Sequence, residues 1–426
     1  MEILGCLRKF ISRPAFHLSI LMLSLPMVAR SAPRDLRPEF RVPGGGVLRE
    51  SVDFWIRIYG KLSSHEGLIH DAKVPTLVYG EYDFSKFKEP RMRVVKREKD
   101  RIKKILLKLH AAGVGMDSSK IAGIHDPEEK RIAELFRKID DPSKFLDASH
   151  YKRVRFQLGQ KEHFLEGMKL SGEYLPYMEE IFIRKGLPFE LTRLPFVESS
   201  FNTRARSKVG ASGIWQFMKT TGGDFLMIND AVDERNDPLR ATEAATQLLK
   251  VNYDTLGNWP LAVTAYNHGR SSLLRATNRL GTHDLEEVIL RNHIRGFGFA
   301  SANFFACLVA ALEVERNPGK YFGVVDRFRP HRFFEVELPS AIYLKDLVTF
   351  MHFPRKPLLE LNPGLTDAAL KSALKMTQGY LLRVPNPDGI GTQEETDAKR
   401  RVFLAGFFKI PSAFKRSTAS ENAYHR

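Results

Sequence analysis

The chain has 426 residues, too many for one core at roughly 100–200 residues per domain. Its 43% hydrophobic and 27% charged residues exclude a disordered polymer and a polytopic membrane protein. A formal net charge of +16 calls for a polyanionic partner: nucleic acid, carboxylate-rich wall peptides or anionic lipid headgroups.

Arg8, Lys9 and Arg13 precede an apolar run from Phe16 to Val28, the layout of an export signal and too short to span a bilayer comfortably. Ala29 and Ser31 place small residues at a cleavage site, and Pro33 blocks cleavage one residue later. Residues 1–31 are therefore expected to be a signal peptide or, uncleaved, an anchor. An exported chain meets wall peptides or lipid headgroups rather than nucleic acid, so no nucleic-acid partner is expected. Cys6 precedes the apolar run instead of closing it, which argues against lipidation there. Cys307 is then alone, and no internal disulfide is expected.

Residues 32–47, with Pro33, Pro38, Pro43 and Gly44 to Gly46, read as a linker. A helical region over 48–185 follows. Leu77, Val78 and Tyr79 suggest one short strand in it. Val94, Val95, Ile102, Ile105, Leu106 and Leu109 recur at helical spacing among Lys and Arg, which predicts an amphipathic helix over 91–112 with a basic, solvated outer face. Further helices are predicted at 127–139 and 150–185. Gly186, Leu187 and Pro188 break the chain, and short helical segments then continue to about Asn317 without strand alternation. An all-α domain is thus expected over 186–320. After Pro330 a β-α-α-β pattern is expected over 331–386, closing on Gly379 to Pro385, and residues 387–426 form an unassigned basic tail.

Three stretches of the helical domain hold polar residues that packing alone does not demand. In Val197-Glu198-Ser199-Ser200-Phe201 a carboxylate ends an apolar helix. Gly210-Ala211-Ser212-Gly213-Ile214-Trp215-Gln216-Phe217-Met218 is a small-residue turn opening a helix that carries a Gln, and Ala262-Val263-Thr264-Ala265-Tyr266-Asn267 is an apolar helix ending in a phenol and an amide. Glu198 follows Leu194 and Val197 at helical spacing, so it sits at the edge of their apolar face. Partial desolvation there favours its neutral form, as a general acid requires. The bland alternative is a surface salt bridge with Arg193, Arg204 or Arg206. In the cluster Asp233, Arg235 and Asp237, read as scaffold, Arg235 with a carboxylate suits a bidentate pair that pins a loop, and Asp237 before Pro238 suits a helix cap. Trp215 reads as a core residue. His70, His163, His268, His283 and His293 lack ligand spacing, so no metal is expected.

In order and spacing these stretches resemble the signature motifs of the soluble lytic transglycosylase (SLT) domain, glycoside hydrolase family 23, in its membrane-bound lytic murein transglycosylase D subgroup. The motif residues are Glu198 and Ser199, then Gly213, Ile214, Trp215 and Gln216, then Ala265, Tyr266 and Asn267. The match is close over 186–280 and looser over 50–85. It departs at Ile214, where Leu is usual, and at His268 and Arg270-Ser271-Ser272, which replace a Gly-rich run. The resemblance implies a mainly α chain with a lysozyme-like catalytic domain, a helical N-terminal region and a small α+β LysM-like C-terminal segment. It implies an exported enzyme of the periplasm or cell envelope that cleaves the β-1,4 bond between N-acetylmuramic acid and N-acetylglucosamine in peptidoglycan glycan strands, leaving 1,6-anhydro ends and using no cofactor. Glu198 would be acid and then base, Tyr266 would hydrogen-bond it, and Ser199, Gln216 and Asn267 would bind or orient substrate. Membrane or outer-membrane association is a further expectation. The alternatives are a goose-type-lysozyme-like hydrolase and a non-catalytic wall-binding scaffold.

Overall fold

The structure, a computed structural model, describes residues 35–42, 44–291, 296–386 and 393–415. The expected signal peptide or anchor, Cys6 and His293 lie outside the described residues. The N-terminal part runs α1 (Gly46–Gly60), β1 (Glu66–Asp71), β2 (Val78–Asp83), α2 (Arg91–Ala111), α3 (Pro127–Leu135), α4 (Lys144–Ala148), β3 (Val154–Leu158) and α5 (Lys161–Arg184). The central part continues with α6 (Leu194–Glu198), α7 (Lys219–Gly223), α8 (Pro238–Leu256), α9 (Trp259–His268), α10 (Arg270–Leu280), α11 (Leu285–Arg291), α12 (Phe299–Arg316) and α13 (Pro318–Tyr321). The C-terminal part is β4 (Phe333–Glu337), α14 (Leu344–Met351), α15 (Arg355–Leu361), α16 (Asp367–Leu370), β5 (Leu381–Pro385), α17 (Gln393–Lys409) and α18 (Ser412–Lys415).

The main core forms around α12, whose residues Phe304 to Leu312 are buried without a break, the mark of a helix enclosed on all sides. Against it pack α1, α6 and α9. Trp55 of α1 donates its indole N–H to the Asn303 side-chain oxygen of α12 at 3.0 Å. Helix α1 belongs to this core, so the central unit is larger than the motif-bearing stretch.

A second core lies under a three-stranded antiparallel sheet ordered β2-β1-β3. Helix α2 lays Val94, Val95, Ile102, Ile105, Leu106 and Leu109 on it and turns its Lys and Arg outward. Buried Asp71 is gripped by the Arg153 guanidinium through both carboxylate oxygens at 2.9–3.0 Å. The helix predicted over 150–185 is corrected here, because its first part is strand β3. Val154-Arg155-Phe156-Gln157-Leu158 alternates apolar with polar, the period of a strand, and pairs with β1 along its length.

The linker reading of 32–47 is also corrected over its described residues. Phe40 is fully buried and packs on Phe305 with ring centroids 6.1 Å apart, and the Arg37 backbone N–H donates to Glu190 at 2.8 Å. An aromatic ring among prolines binds the segment to the core.

In the C-terminal part β4 and β5 pair antiparallel, with α14, α15 and α16 between them. The stretch read as a basic tail contains α17, which buries Phe403 and Phe407 one helical turn apart in this third core. Two apolar residues among Lys and Arg carried too weak a period to read. This unit is joined to the central one by buried charges. Asp237 caps α8 through the Leu239 and Arg240 N–H groups at 3.0 Å each and accepts from Arg383 of β5 at 2.6 Å. Glu335 of β4 accepts from Arg240 and Arg383 at 3.0 Å each. Backbone bonds from Asp233 N–H to the Gly364 carbonyl (2.7 Å) and from Thr366 N–H to the Ala231 carbonyl (3.0 Å) complete the joint.

Candidate active site

Glu198 is the last residue of α6, a helix of one turn started by Pro195. Beyond Ser199 the chain turns through two consecutive residues in the left-handed region, Ser200 at φ 50° and Phe201 at φ 58°. Each non-glycine residue there costs about 1–2 kcal/mol, so packing has to hold the turn. Phe201 is fully buried, edge-on to Phe196 at 4.7 Å, and Phe196 stacks on Phe164 of α5 at 4.7 Å. Helix α5 comes close enough that a Cβ on Gly167 would meet the Ser200 carbonyl oxygen at 2.9 Å. The carboxylate thus stands on a strained, tightly buttressed corner, a setting common at functional sites.

The Glu198 carboxyl is half-buried, and burial alone raises it from the ordinary 4.5 to about 8. The surface-salt-bridge alternative fails for Arg193, which is paired with Glu179 and, at 3.3 Å, with Glu315. Neither Arg204 nor Arg206 makes an ion pair with Glu198 among the described residues. Near neutral pH the group is a protonated acid able to donate, and after donation it is a base that no cation pairs with among the described residues.

The turn of the second motif faces this corner. The Ser199 hydroxyl donates to the Ile214 carbonyl at 3.0 Å, so Ser199 ties the two motifs together. Gly213, at φ 75°, lies against the Arg235 carbonyl, where a Cβ would come within 1.8 Å. The helix expected to carry Gln216 is corrected here: Gln216 closes the turn itself, at φ 49°, between the paired Ser212 and Phe217. Its amide N–H donates to the Gly213 and Ala205 carbonyls at 2.8 and 3.2 Å, and its oxygen has no partner among the described residues. Trp215 is fully buried and donates to Thr242 at 2.9 Å. Arg235 grips Asp233 through two bonds of 2.9 and 2.7 Å and donates to the Gly210 and Phe217 carbonyls, so it pins the whole turn.

Tyr266 and Asn267 lie in the last turn of α9, which ends at His268. The Tyr266 hydroxyl donates to the Trp215 carbonyl at 2.8 Å, not to Glu198 as the resemblance implies. Its phenol is pushed up by burial and then by the Glu198 charge, and Ser199 and Tyr266 donate to the adjacent carbonyls of Ile214 and Trp215, which brings Tyr266 beside the Glu198 corner. Asn267 is exposed and accepts from Ser301 of α12 at 3.0 Å. Glu198, Ser199, Gln216 and Tyr266 therefore converge, with Asn267 at the rim.

Two residues of this site escaped the sequence reading. Tyr59 of α1 and Cys307 of α12 are buried, and both acids are pushed up by burial first, with the Glu198 charge among the further causes. Tyr59 stacks on Phe164 at 5.2 Å, which continues the stack that supports α6. No short motif surrounds either residue. Among the described residues no group of three His, Cys, Asp or Glu side chains is placed to hold a metal ion.

Residues 183–289 match the family model described as the transglycosylase SLT domain, so the resemblance drawn from the three motifs holds over that stretch. Membrane-bound lytic murein transglycosylase D of Escherichia coli strain K12 is 34% identical over 122 residues, 28% of this chain and 26% of that protein. A putative tributyltin chloride resistance protein of Alteromonas sp. strain M-1 is 33% identical over 109 residues, 25% of this chain and 53% of that protein. The chain thus spans between a quarter and about half the length of these relatives. Among solved structures, an inactive mutant of the lytic transglycosylase Slt from Pseudomonas aeruginosa is 16% identical, with a TM-score of 0.29 over 57% of this chain and 40% of that one.

Proposed function

We propose that this chain, whose residues 183–289 match a transglycosylase SLT domain, is a peptidoglycan lytic transglycosylase of the cell envelope. The observation that carries the reading is the Glu198 carboxyl, held near 8 by burial at the head of a strained corner. Protonated Glu198 donates to the glycosidic oxygen between N-acetylmuramic acid and N-acetylglucosamine while the bond opens through an oxocarbenium-like state. The ionised carboxylate then takes the proton of the sugar's own 6-hydroxyl, which closes a 1,6-anhydro ring. The three motif stretches hold no carboxylate besides Glu198, which favours capture by a hydroxyl of the substrate. Gln216 and Asn267 bind substrate polar groups, and Ser199 and Tyr266 hold the turn in register with the acid. The C-terminal unit, with antiparallel β4 and β5 around α14 and α15, is the LysM-like segment of this reading. No helix among the described residues is long and apolar enough to cross a membrane.

The test is digestion of purified sacculi with the full chain, followed by mass spectrometry of the products. Anhydro-muramic ends released by the wild type and absent with Glu198→Gln are the expected result. Reducing ends instead would make the chain a hydrolase, and no cleavage by the wild type would leave a wall-binding scaffold.

A further inference from the structure

Outside the site just described, the strongest unexplained surface lies in the N-terminal unit. An open groove of about 610 Å³ runs between α2 and α4, lined by Lys103, Asp147, His150, Tyr151 and Arg153 among others. Tyr151 stands in a turn at its edge with 66% of its surface exposed. The core has no use for this ring. Among the described residues it meets the His150 ring, with centroids 4.6 Å apart, and the Lys152 ammonium, 5.5 Å from the ring centre. Lys103 belongs to the basic face of α2, where Lys96 lies seven residues earlier, hence on the same side of the helix. Both are exposed, and neither makes an ion pair among the described residues.

We propose that this groove is a second peptidoglycan-binding site, with Tyr151 as a platform for a sugar ring and Lys96 and Lys103 as partners for wall-peptide carboxylates. The inference rests on the function proposed above. A pyranose offers a face of C–H bonds rimmed by hydroxyls. An exposed aromatic ring serves that face, and Asp147 and His150 beside it serve the rim. Covering the ring frees the Lys152 ammonium for a further carboxylate. A membrane surface fits the basic helix less well, because α2 has already laid its apolar stripe on the N-terminal core and keeps no such face to insert in lipid.

Binding is measured with the full chain carrying Glu198→Gln, by co-sedimentation with purified sacculi and, in parallel, with phosphatidylglycerol vesicles. Adding Tyr151→Ala is expected to weaken sacculus binding about three- to tenfold. Adding Lys96→Glu with Lys103→Glu is expected to weaken it further and flatten its salt dependence. These side chains are exposed, so thermal unfolding should not move, and in the Glu198-intact chain Tyr151→Ala should cleave a soluble glycan oligomer at the wild-type rate. Unchanged sacculus binding overturns the proposal, as does a loss seen only on vesicles. If the intact chain releases no anhydro products while Tyr151→Ala still weakens sacculus binding, the groove stands and the transglycosylase reading falls.

Discussion

Glu198 is an acid whose strength is set by what surrounds it, and pH exposes this in two ways. Activity should need the protonated form and so fall as pH rises through about 8. Stability follows the same titration. The folded-state value lies above the ordinary 4.5, so the protonated group's contribution is complete below about 4.5 and is lost as pH rises through about 8. Glu198→Gln, neutral at every pH, should therefore melt like the wild type at pH 4 and above it at pH 8.5, while its cleavage rate falls by about 10²–10⁴-fold. Equal melting temperatures across that range would mean that the carboxyl is solvated. Tyr266 acts differently. Tyr266→Phe leaves the Trp215 carbonyl without the hydroxyl it accepts from, and a buried acceptor left unpaired costs about 1–3 kcal/mol. Lowered stability together with slower cleavage is expected. Wild-type cleavage in a destabilised variant would make Tyr266 a packing residue only.

At the scale of elements, the corner after α6 depends on how closely α5 approaches it. Gly167→Ala places a methyl group 2.9 Å from the Ser200 carbonyl oxygen, and backbone must shift to admit it. Overpacking of this kind costs about 1–3 kcal/mol. Displacing the corner also moves Glu198, for which small misplacements can cost on the order of 10²-fold in rate. Cleavage and thermal melting of the same variant test this, and an unaffected rate would show that the corner yields elsewhere. Periodicity made α2 and α9 legible in the sequence, and the residue types Asp-Pro and Asp-x-Arg made the α8 cap and the Arg235 clamp legible. Periodicity could not reveal left-handed Ser200, Phe201 and Gln216. Nor could it reveal Tyr59 and Cys307, which are brought into the same core because α1 and α12 pack side by side. Strand β3 was missed beside a longer helix because five alternating residues are a weak signal next to twenty-four helical ones.

For the whole molecule, the joint between the central and C-terminal units decides what can be removed. Arg383→Met leaves Asp237 and part of Glu335 buried without their cation, and breaking a buried pair on one side typically costs about 3–5 kcal/mol. Chemical denaturation should show that loss, with partial recovery when Asp237→Asn is added. A change below about 1 kcal/mol would mean that water reaches the site. Truncation after Pro330 strips the Arg383 partner of Asp237 and the Glu335 partner of Arg240 together and should yield insoluble chain rather than a lighter, active domain.

The four charges at that joint also bear on modularity. Two of them, Asp237 and Arg240, open a helix of the central unit, and two, Glu335 and Arg383, sit on the paired strands. A recombination event that brought in a different C-terminal segment would inherit half a circuit, with Asp237 sealed in without its cation and Arg240 left with Glu243 alone. The segment therefore cannot be exchanged like a bead on a string. Chimeras should fold only when the incoming strands carry a Glu and an Arg at the positions of Glu335 and Arg383, so the two units are inherited as one.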